Sequence, residues 1–371
     1  MQRRRFVQTG ITVVSGLIMA NQQGILPRSP FGGSGSAAES TWRMPEEGEP
    51  HRRTWMAFGA TAENYDDVLP EARRNLATIA RTIAAFEPVS MLVRPAELTI
   101  ARELIGDANV ELVPAEIDDL WMRDTGPVFV SDGGRRAGVD FNFNGWGGKQ
   151  EHGFDAAVAE IVTRAAGVER VRTDLVLEGG GIEVDGEGTA VITESCVLNA
   201  NRNPGWSKSD VEAELDRLLG LRKIIWLPGI AGRDITDGHT DFYARFVRPG
   251  VVVAALDTNP ESYDHEVTKR HLEILKTATD AHGRTVQVEV IKAPTRVRPE
   301  YKSADFAAGY INFYVCNGAV IAPEFGDAEA DSAAFTTLAR LFPNRRIVQI
   351  DIDAIAWGGG GIHCTTQQEP A

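Results

Sequence analysis

The chain has 371 residues, of which 43% are hydrophobic and 24% are charged, so it can bury a sizeable core. This composition excludes a disordered chain and a small disulfide-stapled scaffold. The formal net charge of -14 repels polyanions, so we expect no nucleic acid partner, whereas a small cationic ligand suits the acidic balance.

The first 40 residues are typical of a targeting signal followed by a flexible lead-in. Three arginines at 3–5 precede an apolar run over 11–20 that holds no acidic residue, an order that resembles a twin-arginine export signal. Because a membrane-spanning helix needs about 20 apolar residues, we expect no stable membrane anchor. The sequence therefore predicts a signal and lead-in over 1–40, a catalytic domain over 41–371, and export to the periplasm or the cell exterior.

Helical and strand patterns alternate after the lead-in. Leu76, Ile79 and Ile83 recur at helical spacing, and the apolar run from Val89 to Val93 is strand-like. Helices are predicted over 71–86, 156–166, 209–219, 265–282 and 332–342. At the start of the third of these, Ser209 and Glu212 have the spacing of a capping box.

Short apolar or aromatic runs end at Gly-rich or acidic turns in six places, over 55–59, 121–126, 175–181, 239–247, 310–317 and 355–364. With Asp124, Glu178, His239, Asn312 and Cys364 as markers, the gaps are 54, 61, 73 and 52 residues. This spacing predicts a strand and helix unit that repeats about five times, whose equivalent turns meet in one pocket. The alternation alone also allows a doubly wound sheet.

The three cysteines are an odd number and have no CxxC spacing, so at least one thiol is free. Cys196 and Cys316 lie in apolar runs, and we interpret both as core residues. Cys364 follows the four glycines Gly358 to Gly361, which permit close approach of the backbone to a ligand. This pattern by itself also fits a small packed side chain.

The remaining polar candidates are His239, Asp241, Asp124 and Glu178, each of which could be an ordinary polar turn. If 239–241 is extended, His239 and Asp241 face the same pocket. With Cys364 they form a set that suits a guanidinium group. Carboxylates hold this planar cation, a thiolate attacks its carbon, and the imidazole protonates the departing ammonia and then activates water.

From Met44 to Gln368 the chain resembles the agmatine deiminases and bacterial peptidylarginine deiminases, which are guanidino-group-modifying enzymes. The resemblance begins at the Met-Pro pair of Met44 and Pro45. It continues through WMRDTGP from Trp121, FNFNGWGGK from Phe141, LEGGG from Leu177, NRNPGWSK from Asn201, TDGHTD from Thr236, YINFYVCNGAVIAPEFGD from Tyr310 and GGGGIHCTTQQ from Gly358.

The resemblance implies a single-domain α/β fold, a five-bladed propeller of the pentein type with pseudo-fivefold symmetry. The implied activity is hydrolysis of the agmatine guanidinium group to N-carbamoylputrescine and ammonia, through a covalent thiouronium intermediate on Cys364. The implied partner is a small cationic guanidine. Neither a metal nor an organic cofactor is implied, and a homo-oligomer is compatible with the sequence.

By motif position, the resemblance makes Cys364 the nucleophile, His239 the acid and base, and Asp124 and Asp241 the guanidinium clamps. Glu178 is then expected to orient His239 or the substrate. Three further residues are expected to contact the substrate, namely Trp121, Asn312 and Gly361. The sequence departs from the family pattern at this last position, where agmatine deiminases commonly carry Asn.

Three alternatives remain open. Deimination of peptidylarginine or free arginine uses the same chemistry and suits export; a free-arginine enzyme needs a cation for the α-carboxylate, such as Arg123, Arg233 or Arg245. An exported guanidine-binding protein would capture guanidines without hydrolysing them and would tolerate Cys364→Ser. A metal hydrolase would draw on four acceptable zinc ligands, His239, Asp241, His363 and Cys364.

Overall fold

Sixteen short strands form five separate mixed sheets in a computed structural model that describes residues 42–301 and 306–371. The predicted signal and lead-in over 1–40 lie outside the described residues. Four of the sheets have three strands each, an antiparallel pair followed by a strand parallel to the second member of that pair. The fold of the described residues is therefore a mixed α/β fold built from several small sheets.

The strand bounds follow the chain from one sheet to the next. The first sheet contains His51–Phe58, Val89–Val93, Val110–Pro114 and Thr366–Pro370. The second contains Val128–Asp132, Arg135–Asp140 and Glu169–Arg172, and the third Ile182–Val184, Thr189–Thr193 and Lys223–Leu227. The fourth contains Ala244–Arg248, Val251–Leu256 and Gln287–Lys292, and the fifth Tyr314–Cys316, Ala319–Glu324 and Arg346–Asp351.

A helix leads into the parallel strand of every sheet, because two parallel strands need a crossover connection. These helices are Leu69–Ala84, Val158–Ala166, Lys208–Leu219, Asp264–Thr277 and Ala328–Leu341. A further helix, Leu98–Ile105, precedes the last parallel strand of the first sheet. Shorter helical turns are Ala62–Tyr65, Met122–Thr125, Gly145–Gly148, Glu194–Val197 and Asp353–Trp357.

The C-terminal strand belongs to the first sheet. Thr366–Pro370 pairs antiparallel with His51–Phe58, which in turn pairs parallel with Val89–Val93. The first sheet therefore has the same antiparallel and then parallel order as the other four, with its two antiparallel strands drawn from opposite ends of the described chain.

Five turns that carry the predicted site residues lie directly ahead of the strand that begins each sheet. The residues concerned are Asp124, Glu178, His239 with Asp241, Asn312, and Cys364. Because every turn occupies the same place relative to its sheet, the repeat predicted from the gaps between these residues has a counterpart in the strand pattern.

Several predicted elements are confirmed. The strand Val89–Val93 has the predicted bounds, and the helix Leu69–Ala84 buries Leu76, Ile79 and Ile83. The predicted helix over 265–282 was too long and ends at Thr277. Its last residues turn instead, because Asp280 accepts hydrogen bonds from the backbone N–H groups of the two residues that flank Gly283.

The capping box was predicted at the wrong residues. The helix is Lys208–Leu219, with Ser207 as the N-cap and Asp210 as the reciprocal partner. Glu212 instead accepts a hydrogen bond from the indole N–H of Trp226 at 2.7 Å. Within residues 42–301 and 306–371, no helix is both long enough and apolar enough to cross a membrane.

Candidate active site

The turns at the site are tighter than the sequence suggested. The run over 121–126, expected to resemble a strand, contains the single helical turn Met122–Thr125, which carries Asp124. Within 239–241 only His239 is extended, because Thr240–Phe242 forms a 3-10 turn. The hydroxyl of Thr240 donates to the carbonyl of Gly181 at 2.9 Å and fixes this turn against the Gly-rich segment after Glu178.

Cys364 lies on the buried 3-10 turn His363–Thr365. The amide of Asn312 donates to its Sγ at 3.2 Å, and the backbone N–H of Cys364 donates to Asn312 Oδ1 at 3.3 Å. Sγ also lies 3.4 Å from Asp241 Oδ2. Burial, together with the Asp241 and Asp124 carboxylates, raises the pKa of the Cys364 thiol well above its usual range. A nearby cation is therefore needed to favour the thiolate.

His239 lies between two carboxylates. Its Nε2 donates to Glu178 Oε2 at 3.3 Å, and its Nδ1 lies 3.7 Å from Asp124 Oδ1. Burial opposes the charged ring, but Asp124, Cys196 and Glu178 outweigh it and raise the pKa of His239 well above its usual range. The imidazole can therefore act as a proton donor from the side that faces Asp124.

Glu178 is held as a carboxylate by a buried guanidinium group. Arg202 Nε donates to its Oε1 at 2.9 Å, and neither side chain is exposed. Although burial opposes ionisation, the hydrogen bond from His239 and the charge of Arg202 lower the pKa of Glu178 to about 2. Glu178 is thus placed to orient His239 from the Nε2 side of its ring.

The two predicted clamps have different partners. Asp124 accepts hydrogen bonds from the indole N–H of Trp146 at 3.0 Å and from the N–H of Gly180 at 3.1 Å. Asp241 Oδ2 contacts His363 Nδ1 at 2.8 Å, whereas its buried Oδ1 accepts no hydrogen bond from the described residues. Burial raises the pKa of Asp124. For Asp241, burial also acts to raise the pKa, but His363, His239 and Arg245 together outweigh it and lower the pKa.

Three site residues converge on one glycine. A Cβ added at Gly180 would lie 2.6 Å from His239 Nδ1, 2.9 Å from Asp124 Oδ1 and 3.1 Å from Asp241 Oδ2. Real Cβ atoms do not approach other heavy atoms this closely at the shortest of these distances, so the missing side chain is what allows His239, Asp124 and Asp241 to come together.

The three predicted substrate contacts lie in or against the segment that leads to Cys364. A Cβ at Gly361 would lie 2.4 Å from Asn312 Oδ1, so the Asn312 amide takes the space that a side chain at 361 would need. The Trp121 ring is nearly buried and packs against the glycine run, because a Cβ at Gly360 would lie 2.2 Å from a ring carbon. Asn312 therefore contacts the thiol of Cys364 directly.

The positions of the three cysteines bear on the metal-hydrolase alternative. All three cysteines are free and buried. Cys196, interpreted as a core residue, is buried but also contacts Glu178 Oε2 at 3.4 Å. In the described part of the chain, the group whose ligand atoms lie within 4.8 Å of one another is Glu178, Cys196 and His239. It shares only His239 with the zinc ligands offered by the sequence.

The sequence reasoning missed several residues that hold the site. Trp146 and Arg202 lie within the quoted motifs FNFNGWGGK and NRNPGWSK, which signalled that these segments matter but not which side chain does. His363 was considered only as a zinc ligand, yet it contacts Asp241. Glu47 gave no signal of its own beyond its place after the Met-Pro pair.

Comparison with known proteins gives consistent relatives. The family model described as Porphyromonas-type peptidyl-arginine deiminase matches residues 43–370. A candidate agmatine deiminase of Streptomyces coelicolor is 46% identical over 342 residues, which cover 89% of this chain and 99% of that protein. The agmatine deiminase of Pseudomonas aeruginosa is 38% identical over 353 residues, which cover 89% and 96%. The solved agmatine deiminase of Enterococcus faecalis has a TM-score of 0.84 at 32% identity and covers 89% of this chain and 96% of its own.

The match to the family model spans every turn that carries a predicted site residue, and the relatives agree with it, which confirms the resemblance that the motifs indicated. The similarity to the solved Enterococcus faecalis structure extends over nearly all of that chain, so the fold relationship does not depend on one motif. The chain therefore belongs to the Porphyromonas-type peptidyl-arginine deiminase family, to which the motifs of agmatine deiminases had pointed.

Proposed function

We propose that this chain hydrolyses the guanidinium group of agmatine to N-carbamoylputrescine and ammonia. The observation that carries the proposal is the convergence of Cys364, His239, Asp124 and Asp241, with Asp241 Oδ1 buried and accepting no hydrogen bond from the described residues. Planar N–H donors of a cation suit such an oxygen. The relatives of Pseudomonas aeruginosa and Enterococcus faecalis, both named agmatine deiminases, support agmatine as the substrate.

The first half of the reaction forms a carbon–sulfur bond. The arriving guanidinium offsets the charges of Asp124 and Asp241, so the Cys364 thiol loses its proton to solvent. The thiolate attacks the guanidinium carbon and gives a tetrahedral intermediate. Protonated His239 then transfers its Nδ1 proton to one amino group, the carbon–nitrogen bond breaks, and ammonia leaves a thiouronium group on Cys364.

The second half breaks that bond. Neutral His239, with Nε2 still held by Glu178, takes a proton from water, and the resulting hydroxide attacks the thiouronium carbon. The new tetrahedral intermediate expels the Cys364 thiolate and loses a proton to solvent as the ureido product forms. His239 is protonated again, and the Cys364 thiolate takes up a proton from solvent as the product leaves, so the site is ready for another substrate.

Free arginine is the second candidate substrate, and the surroundings favour agmatine over it. An arginine deiminase needs a cation for the α-carboxylate. Of the three arginines offered by the sequence, Arg123 and Arg245 are buried and both donate to Glu47, while Arg233 lies on an exposed turn. Agmatine has no α-carboxylate and makes no such demand.

Ammonia release tests this function. Wild-type protein and Cys364→Ala are each given agmatine, free arginine and a peptide with C-terminal arginine. Release from agmatine that depends on Cys364 is the expected result. Release only from an arginine substrate would move the activity to the sister reaction. Binding of guanidines without ammonia from any of them would support the binding-protein alternative, and loss of activity with a chelator would support the metal alternative.

We infer that the five sheets are arranged as the blades of a propeller with pseudo-fivefold symmetry. Three observations support this arrangement: the shared strand order, the equivalent position of the site turns, and the pairing of the C-terminal strand with the first sheet. An experimental structure would test it, and five sheets unrelated by rotation about a common axis would contradict it.

Export also remains a proposal, supported by the arginines at 3–5 and the apolar run over 11–20. In a host with a twin-arginine export system, replacement of Arg4 and Arg5 by Lys is expected to retain the protein in the cytoplasm. Cell fractionation measures this, with the unmodified chain as control. Unchanged distribution between the fractions would overturn the proposal.

A further inference from the structure

Asp241, His363 and Glu47 form a buried row of contacts that leads away from the site. Of these three residues, the proposed reaction uses only Asp241. His363 Nδ1 lies 2.8 Å from Asp241 Oδ2, and its Nε2 lies 2.9 Å from Glu47 Oε2. All three side chains are buried. An ionised carboxylate only accepts hydrogen bonds, so the ring satisfies both contacts by donating one N–H to each carboxylate.

Glu47 is a fixed carboxylate. Arg245 Nη2 donates to its Oε1 at 2.8 Å, Arg123 Nη2 donates to its Oε2 at 3.0 Å, and the N–H of Val315 donates to Oε1 at 2.8 Å. Although burial opposes ionisation, Arg245, His363 and Arg123 hold the pKa of Glu47 well below its usual range. Glu47 therefore offers His363 an acceptor that neither moves freely nor takes up a proton near neutral pH.

Two partners of Glu47 are chain neighbours of site residues. Arg123 precedes Asp124, and His363 precedes Cys364. Arg245 also donates to the carbonyl of Phe313, the residue after Asn312, at 2.7 Å. Glu47 thus connects the turns that carry Asp124, Asn312 and Cys364, three of the five turns of the site.

We propose that Glu47 and His363 are positioning residues for the reaction. Glu47 fixes the ring of His363, and the ring fixes the Asp241 carboxylate, so that Oδ2 faces the imidazole and Oδ1 is left to accept from the guanidinium group. The same Oδ2 lies 3.4 Å from Cys364 Sγ, so this contact also sets the separation of clamp and nucleophile. The inference rests on the proposed function and assigns to it two residues that touch neither the substrate nor the reacting atoms.

Two amide variants test the contacts of Nδ1 and Nε2 of His363 separately. In His363→Asn the amide nitrogen stands near the place of Nδ1 and can still donate to Asp241. In His363→Gln it stands near the place of Nε2 and donates only toward Glu47. We expect His363→Gln to have at least about tenfold lower kcat/KM for agmatine than His363→Asn, because a buried charge-assisted contact to the clamp is lost. Equal values, or a more active His363→Gln, would overturn the proposal.

A purely structural role is distinguished by two further readouts. Both variants remove the ring, so their melting temperatures should fall by similar amounts while their activities differ. The exposed His282 provides the control His282→Gln, which should behave as wild type. If activity followed melting temperature across the three variants, the positioning role would be wrong.

Alkylation of Cys364 by iodoacetamide needs no turnover. It therefore tests the positioning role of His363 independently of the proposed function. An Asp241 carboxylate that accepts no hydrogen bond from residue 363 raises the pKa of the neighbouring thiol more. Cys364 of His363→Gln should therefore react several-fold more slowly than that of His363→Asn, which keeps a donor to Asp241. If wild-type protein hydrolysed no guanidine, the proposed function would fail, and the alkylation rates would still decide the positioning role. Equal rates would count against it.

Discussion

The proposed chemistry depends on Gly180, a position that has no side chain. Gly180 allows His239, Asp124 and Asp241 to approach one another, since a Cβ there would lie within 3.1 Å of an atom of each. The added Cβ would meet Nδ1 of His239 and the carboxylates of Asp124 and Asp241. All three side chains are buried, so none can move away without loss of its own partners.

Gly180→Ala is therefore expected to lower kcat/KM for agmatine by at least about a hundredfold, because displacement of reacting groups by about 1 Å costs this much. Steady-state kinetics measures the loss, and circular dichroism establishes that the variant is folded. Gly153→Ala is the matched control, because a Cβ at Gly153 meets no atom within 4 Å. A kcat/KM of Gly180→Ala within a few-fold of the control would show that the site tolerates the methyl group.

Removal of the Asp241 charge should make the Cys364 thiol more reactive toward an alkylating agent, although it abolishes turnover. After burial, the Asp241 carboxylate is the largest cause that raises the pKa of Cys364. Asp241→Asn removes this charge, so the thiolate forms at lower pH and iodoacetamide should alkylate Cys364 faster at neutral pH, although agmatine turnover is lost. The pH at half-maximal alkylation rate is the measurement, with Cys364→Ala to subtract reaction at Cys196 and Cys316. A half-maximum at unchanged or higher pH would contradict the electrostatic account.

At the residue scale, the sequence could predict candidate residues that the structure brings together, but not the residues that hold them in place. Cys364, His239 and Asp124 stand in motifs whose residue types already suggest guanidine chemistry. The contact between His363 and Glu47 joins the two ends of the described part of the chain, and no local pattern encodes it. The same holds for Arg202, whose bond to Glu178 depends on how two separate turns are placed.

At the scale of the element, the helix Lys208–Leu219 begins with a reciprocal cap. Ser207 accepts from the N–H of Asp210, and the Asp210 carboxylate accepts from the N–H of Ser207. Two nearby serines and two nearby acidic residues gave the sequence more than one way to begin this helix. The structure uses Ser207 and Asp210, and the helix that follows buries Val211, Leu215 and Leu218.

Ser207→Ala is expected to lower the free energy of unfolding by about 1 kcal/mol, since it removes the N-cap acceptor. Ser209→Ala, which the sequence alone would have named as the damaging change, should have a smaller effect because Ser209 is exposed within the first turn. Urea unfolding compares the two variants with wild type. A larger loss for Ser209→Ala would place the cap where the sequence first suggested.

The sequence predicts long helices and buried strands better than it predicts the short turns at the site. Long periodic helices such as Leu69–Ala84 and the buried strand Val89–Val93 follow from local patterns of apolar residues. The turns at the site do not, because short helical turns such as Met122–Thr125 and Thr240–Phe242 are held by contacts from other parts of the chain. Prediction was weakest where function is concentrated, since those segments are shaped by tertiary contacts.

For the whole molecule, the two ends of the described chain meet in the first sheet. Gln367 and Gln368 face Trp55 and Thr54 across an antiparallel ladder. Gln368 also accepts from Arg123 at 2.8 Å, and the buried Glu369 accepts from the indole N–H of Trp55 at 2.9 Å. The C-terminal strand therefore supports both the first sheet and the arginine that lies next to Asp124.

Removal of residues 368–371 tests this closure. The truncation leaves Arg123 and the indole of Trp55 as buried donors without these acceptors, and each unsatisfied buried group costs roughly 1 to 3 kcal/mol. We expect a marked fall in melting temperature and loss of agmatine turnover, although Cys364 and every residue assigned to the chemistry are retained. Removal of Ala371 alone, which takes away one backbone hydrogen bond to Pro50, is the control and should leave both nearly unchanged. Full activity after removal of 368–371 would mean that the first sheet holds the site turns without its C-terminal strand, and the closure argument would then fail.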